Sequence, residues 1–272
     1  MKSITFIGGD NRNYTVSKML SKKYNIYTYG LKDSTKGILE CISLSEYIIL
    51  PIPFSTDDEN IYAPQYDSTI KINGLIENLF EKTIVGGKIN EKYIKKLEHN
   101  GCKVIDITKS NEFIQKNAIP TAEGVIKLII ENTDFTIDGS RIAVLGFGNV
   151  GKKISELLHN LNADIFSYDI KKQEVANIAS CGYNVLNDFN KEISKMDVIV
   201  NTVPEQILNE EKLKYISKKT LIIDVASIPG GVDYDYSKEN GYNVIHALGL
   251  PGKIAPKTSA KYVKDILENL II

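Results

Sequence analysis

Residues Arg141 to Gly151 read RIAVLGFGNVG, and this stretch decides the fold. An apolar run, Ile142 to Leu145, meets Gly146, Gly148 and Gly151 in the spacing G-x-G-x-x-G. A helix-like segment follows, Lys152 to Asn162, and then a second strand-like run, Asp164 to Tyr168, closed by Asp169. Each part has a physical task in a dinucleotide site. Gly146 turns the chain tightly off the strand. Gly148 has no side chain to obstruct a pyrophosphate, and Gly151 lets helix and strand approach. The N–H groups around the helix start face the phosphates, so Phe147, Asn149 and Val150 join the glycines as candidate cofactor contacts. Asp169 stands where a carboxylate accepts hydrogen bonds from a ribose 2′-hydroxyl, with Tyr168 and Lys171 beside it. A lone glycine motif is a weak signal; strand, glycines, helix, strand and acid in that order are a strong one.

Downstream the α/β alternation continues. Asp197 to Val200 ends in Asn201-Thr202-Val203-Pro204, where a nicotinamide ring and its ribose would lie. Thr220 to Val225 ends in Ala226-Ser227-Ile228-Pro229-Gly230-Gly231, and Val244 to Ala247 ends in Leu248-Gly249-Leu250-Pro251. Asn201, Thr202, Val203, Pro204, Ala226 and Gly249 therefore complete the expected cofactor contacts. Asp169 argues for NAD, because a 2′-phosphate would meet a carboxylate; Lys171 and Lys172 could offset that repulsion, although solvated surface lysines are the commoner explanation of them.

Upstream, residues 1 to about 110 also alternate. Ser3 to Ile7, Ile26 to Tyr29, Tyr47 to Leu50, Thr83 to Val85 and Cys102 to Ile107 read as strands, with helical spacing between several of them. Loops after the strands are rich in Gly, Pro and Asp, which predicts a small parallel sheet with helices on both faces. Gly101 is the expected C′ cap of a helix over 90–100. Pro120-Thr121 is expected to open a connector helix running to about Asn132, with Thr121 as its cap.

The 272 residues, 43% apolar and 25% charged, suit a globular chain of two domains or one large one. The net charge of −1 gives no reason to expect nucleic-acid binding. No apolar run reaches the ~18 residues of a membrane helix. Cys41, Cys102 and Cys181 are odd in number and far apart, so neither a disulfide framework nor a metal site is expected, and a reducing cytoplasm fits.

Arginine occurs only at Arg12 and Arg141. Its planar fork suits carboxylates, so Arg12, in Gly8-Gly9-Asp10-Asn11-Arg12 at the first strand's end, is a candidate substrate contact together with Gly9 and Asp10. The segment HALGLPGKIAPKTS, His246 to Ser259, reads as a loop suited to an anionic group. Lys253, Thr258 and Ser259 are its candidate substrate contacts, joined by Thr121. His246 ends a strand beside it and is the best of the three histidines for proton transfer. His246 and Lys253 are the catalytic candidates; a strand-end histidine without a catalytic role remains an alternative.

With these segments assembled, the chain resembles the family of dipicolinate synthase A subunits over nearly its full length. The likeness rests on GGDNR, on AIPTAEGVI (118–126), on VLGFGNVG, on NTVP, on DVASIPGG (224–231) and on ALGLPGKIAPKTS. More broadly, the layout is similar to D-isomer 2-hydroxyacid dehydrogenases. The resemblance implies two doubly wound α/β parallel-sheet domains with a cleft between them. A flavodoxin-like substrate domain would span 1–118, with a C-terminal helix 258–272 packed back on it. A Rossmann NAD(P)-binding domain would span 119–257. It implies NAD(P)-dependent oxidation of dihydrodipicolinate, formed from 4-hydroxytetrahydrodipicolinate, to dipicolinate in the mother cell during sporulation. It also implies the flavoprotein-like B subunit of dipicolinate synthase as partner, a homo-oligomer besides, and NADP as cofactor, against the NAD that Asp169 favours. The alternatives are a 2-hydroxyacid dehydrogenase and a dinucleotide-sensing subunit without catalysis.

Overall fold

The computed structural model describes residues 1–271 and divides into two compact units, Met1–Lys116 with Ala255–Ile272, and Asn117–Ile254.

In the first unit, short runs of β-branched and aromatic residues become parallel strands, the three central ones mostly buried. β1 (Ser3–Ile7), α1 (Asn11–Leu20), β2 (Asn25–Tyr29), α2 (Ile38–Ser43) and β3 (Tyr47–Ile49) come first. Then follow α3 (Ile72–Ile76), β4 (Thr83–Gly86), α4 (Glu91–His99) and β5 (Lys103–Asp106). The sheet order is β2-β1-β3-β4-β5, all parallel, which is the flavodoxin-like winding. Ile4, Phe6, Ile7, Ile48 and Ile84 are wholly buried. Each such side chain contributes ~1.5–3 kcal/mol relative to exposure. Helix ends are capped locally: Asp10 accepts from the Arg12 N–H at 2.8 Å, and Asn90 from the Lys92 N–H at 3.1 Å. Gly101 does sit at φ +73 behind α4, where its N–H and that of Cys102 satisfy the carbonyls of Glu98 and Leu97.

α5 (Asn111–Asn132) leads out of this unit. It corrects the expected opening at Pro120-Thr121. The Ser110 hydroxyl accepts from the Phe113 N–H at 3.2 Å, so the helix starts earlier and passes through Pro120. A proline inside a helix costs about 3 kcal/mol, yet it removes only the bond to the Lys116 carbonyl. Thr121 is no cap: its hydroxyl donates to the Asn117 carbonyl at 2.8 Å, and the residue is buried.

The second unit contains β6 (Arg141–Leu145), α6 (Asn149–His159), β7 (Asp164–Tyr168), α7 (Lys172–Ser180), β8 (Asn184–Val185) and α8 (Phe189–Ile193). β9 (Val198–Asn201), α9 (Glu210–Leu213), β10 (Leu221–Asp224), α10 (Tyr234–Glu239), β11 (Asn243–His246) and α11 (Leu250–Ile254) complete it. Its order, β11-β10-β9-β6-β7-β8, is the Rossmann order 3-2-1-4-5-6 read from the other edge. The central strands are buried on both faces, which is why Ile142 to Leu145 and Val198 to Val200 are continuous apolar runs.

α12 (Pro256–Ile271) belongs to the first unit. Val263, Ile266, Leu267 and Ile271 share a core with Val16 and Leu20 of α1, and Lys23 pairs with Glu268 at 3.0 Å. Among the described residues no helix is long and apolar enough to cross a membrane.

Candidate functional site

Two glycines of the Rossmann turn, Gly146 and Gly151, have a steric reason. Gly146 adopts φ +89, and a Cβ there would strike the Thr202 hydroxyl. A Cβ on Gly151 would collide with the Gly146 carbonyl oxygen. One on Gly148 would meet nothing within 4 Å, so the concave side of the turn is open. Gly148 itself is the N-cap of α6 and offers no side chain to its first turn. These are the properties a pyrophosphate cradle needs, and the residues fit a dinucleotide.

Asp169 sits beside this turn with an added task. Its carboxylate accepts from the Phe147 N–H at 2.8 Å and from the Lys171 N–H at 2.9 Å. It thus braces the glycine turn, while a carboxylate's remaining lone pairs stay able to accept from a ribose. Phe147 is buried, with its ring edge-on to Tyr183; Tyr168 is half-buried against Phe189; Asn149 and Lys171 are exposed.

The side chains of Asn201 and Thr202, expected beside the nicotinamide, are engaged within the protein. Asn201 is wholly buried, donating to the Val203 carbonyl and to Asp224, both at 2.9 Å, and accepting from the Val203 N–H at 3.2 Å. The Thr202 hydroxyl donates to the Leu145 carbonyl at 2.9 Å. Both lock neighbouring strand ends together. Pro204 and Gly249 are exposed, Val203 is half-buried and Ala226 is buried, its N–H donating to Asp224 at 2.9 Å.

The first unit's strand ends differ from expectation too. The N–H groups of Gly8 and Gly9 are bonded to the carbonyls of Tyr29 (2.8 Å) and Tyr62 (2.7 Å). Arg12 is buried, pairs with Asp10 at 3.1 Å and donates to the Ile52 carbonyl. These bonds use Nε and Nη2 and leave the Nη1 edge of the fork outside them.

Lys88 is a further cation near the first unit's strand ends that the sequence reading does not single out. It follows β4 in a left-handed conformation, φ +55, which a side chain rarely adopts. Burial lowers its ammonium pKa, against an opposing pull from Asp106. Its own N–H donates to the Thr108 hydroxyl at 3.3 Å. The signal available beforehand was its place after Gly86-Gly87 at a strand's C-terminal end.

The segment 246–259 is a further correction. Most of it is helix, α11 and the start of α12, with Leu250, Pro251, Ser259 and Ala260 buried, and only 247–249 and 255 lie outside regular structure. Lys253 and Thr258 are exposed and Ser259 is buried. His246 is exposed at the end of β11, stacked on Tyr234 with ring centroids 4.6 Å apart.

Known proteins share this geometry. Residues 3–108 match the family model of the N-terminal domain of the dipicolinate synthase A subunit. Residues 127–228 match that of the D-isomer specific 2-hydroxyacid dehydrogenase NAD binding domain. The chain is 28% identical to the dipicolinate synthase A subunit of Bacillus subtilis (strain 168), over 98% of this chain and 95% of the relative. The crystal structure of the Bacillus halodurans A subunit superposes with a TM-score of 0.88 at 26% identity, covering 99% of this chain and 97% of the other. The crystal structure of the Bacillus subtilis protein gives 0.87 at 29% identity, covering 99% and 95%. The resemblance to the dipicolinate synthase A subunit holds in sequence and in fold over nearly the whole length. The second unit is an NAD-binding domain of dehydrogenase type, and the coarse function is that of an oxidoreductase.

Proposed function

We propose that this relative of the dipicolinate synthase A subunit oxidises a dihydrodipicolinate to dipicolinate. Hydride passes to a nicotinamide dinucleotide and one proton leaves the ring. The observation that carries the reading is the near full-length likeness to that family joined to an open glycine cradle at Gly148. The nicotinamide, when bound, accepts the hydride. Everything else falls to the chain's own groups. The turn 146–151 and the first N–H groups of α6 hold the phosphates, and Asp169 holds the ribose, which favours NAD over NADP.

The substrate is a flat dianion, so cations must orient it. Arg12, through its Nη1 edge, Lys88 and Lys253 are the proposed cations. His246 is the proposed proton acceptor. Aromatisation drives the reaction, so orientation and proton removal suffice.

A flavoprotein-like B subunit is the proposed partner, in keeping with the designation of the relative as one lettered component of a synthase. The proposed setting is the mother cell of a sporulating bacterium. A 2-hydroxyacid dehydrogenase is disfavoured. That chemistry wants an arginine beside the substrate in the cofactor domain. Arg141 instead begins β6, its guanidinium over Phe166 at 4.8 Å, at the opposite end of the strand from the glycine turn.

The test is to mix the chain, its candidate partner subunit, freshly made dihydrodipicolinate and NAD+ or NADP+. Reduced nicotinamide and pyridine dicarboxylate are followed together. Their equal appearance is expected; reduced nicotinamide without dipicolinate, or neither, overturns the reading.

A further inference from the structure

Asp224 ends β10 with no exposed surface. Four donors meet its carboxylate. The N–H groups of Ala226 and Gly231 lie at 2.9 and 2.7 Å, the Asn201 amide at 2.9 Å and the Tyr234 hydroxyl at 2.6 Å. Segment 225–231 is folded around this anion. Gly231 must be glycine, since a Cβ would run into the Asn201 side chain.

The network reaches the surface through one ring. Tyr234 gives its hydroxyl to Asp224, and its face stacks on the exposed His246 at 4.6 Å with the planes 26° apart. Burial, and then the bond to Asp224, raise the Tyr234 phenol above its ordinary value. The hydroxyl therefore remains a donor through the neutral range. In the sheet register Asn201 pairs with Asp224 and Asp224 with His246, so the three stand in one row across the C-terminal ends of adjacent strands.

An exposed strand-end histidine without neighbours would sample several rotamers. Here a ring anchored by a buried carboxylate occupies one face of the imidazole. We propose that Asp224 and Tyr234 are positioning residues for His246: the carboxylate fixes the phenol, and the phenol ring fixes the plane of the imidazole. This rests on the reading of His246 as the proton acceptor.

The chain has three histidines, so its imidazole C–H signals are few, and His246→Gln identifies the pair that belongs to His246. In the full-length protein those signals are expected upfield, displaced by the Tyr234 ring. Tyr234→Leu abolishes the displacement. Tyr234→Phe keeps the ring but frees it from Asp224, and the displacement shrinks. In the oxidation assay with the partner subunit, kcat falls roughly tenfold or more in both variants, as expected for a misplaced reacting group. Dinucleotide Kd, measured on the chain alone, stays unchanged and shows that the unit is folded. Wild-type signals without upfield displacement, or a Tyr234→Phe chain with wild-type displacement and kcat, overturn the proposal. Displacement that disappears as described in a protein that never oxidises dihydrodipicolinate upholds the positioning and overturns the proposed reaction instead.

Discussion

The α-carbon of Gly151 faces the carbonyl oxygen of Gly146 so closely that a Cβ at 151 would collide with it. The turn between β6 and α6 is closed by that approach, and the first turn of α6 takes its position from it. Gly148, by contrast, faces open space. The two glycines therefore separate packing from binding.

Gly151→Ala forces the helix away from the strand. Overpacking of this kind costs ~1–3 kcal/mol, so thermal denaturation should show a lower Tm together with weakened dinucleotide binding. Gly148→Val should leave Tm near that of the wild type and still weaken dinucleotide binding, measured by calorimetry. Equal loss of stability in both variants would contradict this division.

The Asp169 carboxylate both braces the Phe147 N–H and faces the expected ribose. Hydrogen bonds to charged groups contribute ~1.5–3 kcal/mol. Asp169→Ala should raise the NAD Kd by about tenfold or more, and should narrow any preference for NAD over NADP by removing the negative charge. A wild-type chain that binds NADP more tightly than NAD, with that preference unchanged in Asp169→Ala, would remove Asp169 from the cofactor choice.

Lys88 provides a pH signature. Burial holds its pKa below the usual lysine value of 10.5. An ammonium that grips a carboxylate must be protonated, so substrate affinity is full at lower pH. It should weaken as pH rises through a window that opens below the ordinary lysine range. Lys88→Ala should raise substrate KM by roughly fivefold, about 1 kcal/mol for an ion pair that is partly buried yet still open to solvent, and should flatten that alkaline limb. An alkaline limb that survives the substitution would assign it to another group.

Arg12 is expected to show a mixed effect. Replacing it by Ala removes the side-chain bonds to the Ile52 carbonyl and to Asp10, which keeps the N–H of residue 12, a loss of about 1–3 kcal/mol. Arg12→Ala should thus lower Tm as well as raise substrate KM, with the dinucleotide Kd unaltered. A raised KM with Tm intact would mean that the internal bonds contribute little.

Asp57 gives an acid-side test of the first unit. Its carboxylate accepts from the Asn60 side chain at 2.6 Å, from the Asn60 N–H at 2.8 Å and from the Glu59 N–H at 2.9 Å, which lowers its pKa. Stability from a depressed carboxylate is present above the unfolded value and is lost as pH falls through the folded one. Wild type should exceed Asp57→Ala in Tm at neutral pH, and the gap should close as pH drops below the ordinary carboxylate range. A gap independent of pH would place the effect in packing.

Much of this architecture was legible beforehand because it depends on local constraints. Alternating apolar runs and turn residues marked most strands, since a strand buried on both faces has to be apolar throughout. The short helices α2, α8, α9 and α10 escaped notice, since few residues carry little periodicity. Pro120 misled for a related reason: proline disfavours a helix interior, yet the cap at Ser110 and the burial of Phe113, Ala118 and Ala122 outweigh one missing bond.

The sequence by itself determined the fold class and the dinucleotide turn, because Gly151 meets Gly146 close by along the chain, Gly146 needs a left-handed φ to turn off the strand, and Gly148 answers to a ligand of fixed shape. Only the tertiary structure decided which polar groups remain available. Gly9 is bonded to Tyr62, Arg12 to Ile52, Asn201 to Asp224, and Asp224 to Tyr234. Most of these partners lie tens of residues apart. A hydrogen bond already made inside the protein is invisible to spacing along the chain, and it alone separates a donor that can hold a substrate from one that holds the fold.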